Sequence, residues 1–222
     1  EIGDYPDVHV ASDDDPIKKV AAVGNANDFT LLEALRCPQF YVLCFAGMSA
    51  TMPYNVITSQ APSHFTDIEF DPAIVAAMIG TMALTSTFGR IFGSLGDFFR
   101  PVRLMGIALL VQGTMLTLLF TTESPRIANL AVILFALGHG VAYTSSYSAF
   151  PSFFGITSFA KMAGTMGLAA GLGGFLGSKL TGRAFDQTGS YTTAVINVSA
   201  IIIFFAICAL LVPSPKKRSP TG

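Results

Sequence analysis

Six stretches of the chain, near residues 39–60, 73–98, 102–121, 127–148, 160–182 and 193–212, are apolar over the length a helix needs to cross a bilayer. A hydrocarbon core roughly 30 Å thick takes about 20 mostly apolar residues as helix, because its backbone groups find no water there and must pair within the segment. The pattern predicts an all-α, polytopic membrane protein of six transmembrane helices. Only 12% of the residues are charged, about half the roughly 25% of a soluble domain. A net charge of −1 supplies no basic field for nucleic acid. Cys37, Cys44 and Cys208 have neither paired spacing nor a histidine cluster beside them, so they read as small apolar residues, and no metal or organic cofactor is implied.

Polar and turn residues separate the spans: Ser63 to Asp67, Arg100-Pro101, Glu123 to Pro125, Pro151-Ser152, and Asp186 to Gly189. Residues 1–29, rich in Asp, Pro, Gly and Asn, read as a flexible cytoplasmic linker, and residues 214–222 as a basic cytoplasmic tail; the membrane domain is 30–213. The chain begins at Glu1 rather than Met, which suggests residues upstream. Thr30-Leu-Leu-Glu33 has capping-box spacing and predicts a short amphipathic helix at the membrane surface. Lys18, Lys19, Arg36, Arg100, Arg103, Lys161 and Lys216 to Arg218 fall on one side, against Arg126 and Arg183 on the other. The positive-inside bias then puts both termini in the cytoplasm. The expected location is the plasma membrane.

Phe88-Gly-Arg-Ile-Phe-Gly-Ser-Leu-Gly-Asp97, followed by Arg100 and Arg103, closes the second span. Gly89, Gly93 and Gly96 make a stripe against which another helix can pack closely. Asp97 beside two arginines suits a latch that holds helices in one state and frees them in another. This segment resembles the cytoplasmic signature loop of the major facilitator superfamily, found between the second and third helices of each six-helix half. Pro38-Gln-Phe-Tyr41, Ser59-Gln-Ala-Pro62, Phe88 to Phe92 and Phe185-Asp-Gln-Thr-Gly-Ser-Tyr191 are similar to the oxalate/formate antiporter-like branch. Gly182-Arg183, Asp186, Gly189 and Tyr191 resemble a pattern of the monocarboxylate transporters. Phe98 and Arg100-Pro101 depart from the signature. The resemblance covers residues 30–213 and implies the second half of a carrier, with an N-terminal six-helix half as partner, no enzymatic activity and a conformational latch of Gly93, Asp97, Arg100 and Arg103.

Arg90 is the foremost site residue. A guanidinium inside a bilayer costs several kcal/mol unless it faces protein or water. Arg90 stands about nine residues, roughly 13 Å, from the expected end of its span. In the relatives, the resemblance implies, an arginine at this place binds the substrate carboxylate; the structural reading is a brace for helix ends through carbonyls or Asp97. Ser86 lies one turn before it. His139, Tyr143 and Ser146 or Tyr147 share a face of the fourth span, with His139 read either as a proton carrier or as a neutral histidine at a helix contact. Pro53 predicts a kink that frees a carbonyl beside Tyr54 and Asn55. The fifth span carries Gly164, Gly167, Gly171, Gly173, Gly174 and Gly177, which favour close contact and bending. Some oxalate carriers have a lysine near the place of Gly173; its absence, and the single Arg90, point to a cargo with one carboxylate. The expected function is transport of a small, monocarboxylate-like organic anion by alternating access, coupled to a proton or a counter-anion. The alternatives are a sugar, amino acid or drug-like solute, or a non-transporting receptor or scaffold of the same fold.

Overall fold

The computed structural model describes residues 28–94 and 99–215. They form seven helices among the described residues: α1 (Leu31–Leu35), α2 (Pro38–Asp67), α3 (Pro72–Gly93), α4 (Pro101–Thr121), α5 (Pro125–Phe154), α6 (Phe159–Thr188) and α7 (Thr192–Leu211). Four of the six long helices open on proline. The first-turn amide that proline lacks has no partner within the helix in any case, and its fixed φ suits a helix start. The expected capping box closes at α1: Thr30 Oγ accepts the Glu33 amide at 3.3 Å, and the Glu33 carboxylate accepts the Thr30 amide at 2.7 Å.

Five helices, α2 to α5 and α7, are long and apolar enough to cross a membrane. The predicted crossing at 160–182 is α6, which has 30 residues and ample length. Its glycines and its Lys161, Lys179, Arg183 and Asp186 hold its apolar density below that of the others. Four boundaries differ from expectation. Ser63 to Asp67, Pro151-Ser152 and Asp186 to Thr188, expected as connections, are the closing turns of α2, α5 and α6. Polar side chains do not stop these helices because they bond their own carbonyls, as Thr66 does to Pro62 at 2.8 Å and Ser152 to Ala149 at 2.8 Å. α3 closes at Gly93, with Arg90 in its last turn; residues 95–98, including Asp97, and the tail from 216 lie outside the described residues.

α5 is flanked by α3 and α4, α7 covers the far side of α4, and α6 lies against α2, which also touches α4, α5 and α7. At one end Phe29, Phe40, Phe150 and Phe154 meet edge to face at 5.4–5.9 Å. At the other, Phe65 stacks on Phe70 at 4.9 Å, His64 on Phe120 at 4.8 Å and Phe185 on Tyr191 at 4.1 Å. Large apolar side chains such as Leu84, Phe88, Leu172, Phe175 and Phe204 stand exposed on the outside. A soluble monomer rarely carries so much contiguous apolar surface, whereas a lipid-facing wall requires it.

The stretch expected as a free linker ends in a fixed contact. The Asp28 carboxylate accepts the amides of Ile156 and Thr157 at 3.2 and 3.1 Å and the Thr157 hydroxyl at 2.6 Å. The Phe29 amide donates to the Phe154 carbonyl at 2.8 Å. Gly155, at φ +80°, turns the chain there, and a side chain on it would strike the Asp28 carboxylate.

Candidate functional site

The site begins with a proline. Pro53 has no amide to give the Ser49 carbonyl, one turn back in α2. The carbonyl that other helices then use is its neighbour, Ala50. It accepts from Gln112 Nε2 of α4 at 2.8 Å and lies 2.9 Å from His139 Nδ1 of α5. Nδ1 therefore carries the hydrogen, which it donates to the carbonyl. Gln112 is wholly buried and His139 is 4% exposed. Three helices are thus tied at one backbone atom.

Rings continue from this tie along α5. Tyr54 stacks on His139 at 4.5 Å between centroids, Tyr143 lies 6.1 Å from His139, and Tyr147 lies 5.4 Å from Tyr143. The Arg90 guanidinium carbon sits 5.0 Å above the Tyr143 ring, within reach of a cation–π attraction. Arg90 is exposed and has no ion pair among the described residues.

Glycines set the position of Arg90. A Cβ on Gly140 would strike the Ser86 carbonyl and come within 2.6 Å of the Arg90 amide nitrogen; one on Gly89 would lie 2.5 Å from the Leu137 carbonyl. α3 and α5 therefore cross backbone to backbone, a contact open only to residues without side chains. The expected nine residues between Arg90 and the end of its helix are three. Depth comes instead from the neighbour: α5 runs eleven residues beyond Tyr143 to Phe154, about 16 Å of helix. The cation thus ends a short helix against the middle of a long one, where the carbonyls of its last turn also favour it.

Arg90, Tyr143, His139 and Tyr54 are brought into one run. Ser86 is buried at the α3–α5 crossing, and its hydroxyl makes no hydrogen bond among the described residues. Asn55 turns away: its amide donates to the Thr51 carbonyl at 3.0 Å, and it packs on Gly174 of α6. Of the residues expected as a latch, Gly93 is seated on Thr144 and Val141 of α5, Arg100 and Arg103 are exposed at the start of α4, and Asp97 lies outside the described residues. Gln112 was not singled out from sequence; the signal was an amide in the middle of an otherwise apolar helix.

The apolar exterior, the long helices and the cation held over an inner helix define a multi-pass helical membrane protein. No protein-family model matches the chain. Over 144 residues the chain is 26% identical to monocarboxylate transporter 13 of Bos taurus, and 25% identical to monocarboxylate transporter 13 of Rattus norvegicus. The match covers 64% of this chain and 34% of each relative, so the chain spans about a third of the length of the curated relatives it matches. The similarity is distant, and both relatives are transporters by name.

Proposed function

We propose that this chain is the second six-helix half of a carrier for a small monocarboxylate, with Arg90 binding the carboxylate. The observation that carries the reading is a guanidinium, without an ion pair among the described residues, held over Tyr143 and level with the middle of α5. A planar guanidinium grips one carboxylate through two parallel charge-assisted bonds. The tyrosine face below it restrains the fork, and Tyr54, Ser86 and His139 shape the wall. His139 is tied to Ala50 through Nδ1, which favours a positioning role over proton carriage. Asn55 is the least favoured wall residue, because its amide is bonded within its own helix.

Gly164, Gly167 and Gly171 of α6 have nothing within 4 Å of where a Cβ would stand. Such a bare strip on an outer helix suits close packing by another six-helix unit. Access would then alternate as the two halves rock about a central site, with both termini cytoplasmic. The test is uptake of labelled lactate, pyruvate, formate and oxalate by the full-length protein in proteoliposomes. Arg90→Lys keeps the charge but loses the fork, and uptake of the preferred anion should fall at least tenfold. Transport by Arg90→Lys at the wild-type rate overturns the assignment.

A further inference from the structure

A second cationic site, lined by neither Arg90 nor Tyr143, lies where α4, α5 and α7 meet. A cavity of about 350 Å³ opens between the start of α4, the last turn of α5 and the end of α7, lined by Arg100, Arg103, Ser152, Phe153, Leu210 and Ser214 among others. Both arginines are exposed and neither has an ion pair among the described residues; Asp97, the acid nearest in sequence, lies outside them. The C-termini of α5 and α7 contribute partial negative charge here. Each is equivalent to about half a unit charge before screening, so two full guanidinium charges outweigh them. The first turn of α4 adds its own partial positive charge. The cavity is therefore built for an anion.

The surroundings decide which anion. One turn along α4 from Arg103, on the same face, stands Ile107, 55% exposed. On α7, Phe204, Ile207 and Leu211 form an exposed stripe at i, i+3 and i+7 that ends at the cavity. α4 and α7 pack against each other, with Gly106 on Leu210. A soluble anion would use only the arginines. A phospholipid would use both features, its phosphate between the guanidinium groups and its acyl chains along the apolar stripe. We propose that this cavity seats the headgroup phosphate of an anionic phospholipid at the basic end of the bundle. The inference does not depend on the assignment of Arg90 to a carboxylate.

The experiment is native mass spectrometry of full-length protein in detergent, with dioleoylphosphatidylglycerol, dioleoylphosphatidylcholine or inorganic phosphate added. Phosphatidylglycerol adducts should persist at least tenfold more than phosphatidylcholine adducts. Arg100→Gln combined with Arg103→Gln should abolish that preference. Arg36→Gln, at the same end but outside the cavity, should keep it. Arg103→Lys should retain most of it, and a melting temperature equal to wild type for the double variant separates lost binding from lost folding. Equal retention of the two lipids, a preference that survives the double substitution, or an equal loss in Arg36→Gln each overturns the site. Binding of millimolar phosphate that competes with phosphatidylglycerol while apolar substitution of the stripe (Ile107→Ser with Leu211→Ser) has no effect would overturn the lipid, leaving a free-anion site.

Discussion

Replacing Gly140 by alanine places a methyl group where α3 and α5 touch. The new carbon falls on the Ser86 carbonyl, 2.6 Å from the Arg90 amide nitrogen and 2.7 Å from the Gly89 carbonyl carbon. All three are backbone atoms, so no side chain can swing aside. Relief to the 3.4 Å of ordinary contact requires α3 to move by about 0.8 Å at Arg90. Overpacking of this kind costs about 1–3 kcal/mol, more than the roughly 1 kcal/mol that alanine gains over glycine in a helix. A net loss of about 1 kcal/mol corresponds to about 2–4 °C in a chain of this length. The chain has no tryptophan, but Cys44 is buried, so a thiol-reactive dye follows unfolding. Gly80→Ala is the internal control on the same α3, because nothing lies within 4 Å of its Cβ position; its melting temperature should hold or rise slightly. The same movement carries Arg90 off Tyr143, so anion uptake should fall together with stability in Gly140→Ala. Equal melting of Gly140→Ala and wild type would refute the backbone-to-backbone crossing and the placement of Arg90 that rests on it.

Other outcomes follow from single contacts. Asp28→Ala removes an acceptor from two amides and a hydroxyl; a loss of about 1–2 kcal/mol would speed local opening roughly 5–30-fold, read as faster protease cleavage near residue 28, and an unchanged rate would contradict it. Gln112→Leu loses one hydrogen bond to Ala50 but also removes Oε1, which is buried without a partner among the described residues, so its melting should lie within about 1 kcal/mol of wild type. Gln112→Glu buries a charge and should cost several kcal/mol; similar melts for the two would argue against the buried tie. At the other end, burial, then the charge of Asp67, raises the pKa of Tyr191 above its ordinary 10.0, partly opposed by a hydrogen bond from Ser63. The folded state therefore holds the phenol proton more tightly than the unfolded one. That stability is complete below pH 10.0 and is lost as pH rises through the folded pKa. Tyr191→Phe should flatten that part of the alkaline unfolding curve, and an identical curve would remove Tyr191 as the cause.

Helix identity was legible because it is a local property. A run of apolar residues at a 3.6-residue period, a proline at a first turn, or Thr30 three residues before Glu33 acts within one or two turns. The alignment of His139 with Tyr143 was readable for the same reason. Helix extent was less so: Ser63 to Asp67 looked like a connection, yet hydroxyls that satisfy their own carbonyls let the helix continue. Arg90 was legible as an oddity, but its depth was not. α3 stops three residues after it, and only the longer α5 alongside shows how far from the end it sits.

The sequence by itself determined an all-helical membrane chain and named the cation that any account of it must explain. Only the tertiary structure decided which glycines are contacts and which are bare, since Gly140 and Gly164 look alike in sequence while one touches backbone and the other nothing. It also brought Gln112, His139 and the Ala50 carbonyl together and separated Asn55 from Arg90. The reason is geometric: a helix fixes the direction of each side chain from its own repeat, but the neighbour that side chain meets depends on residues far away along the chain.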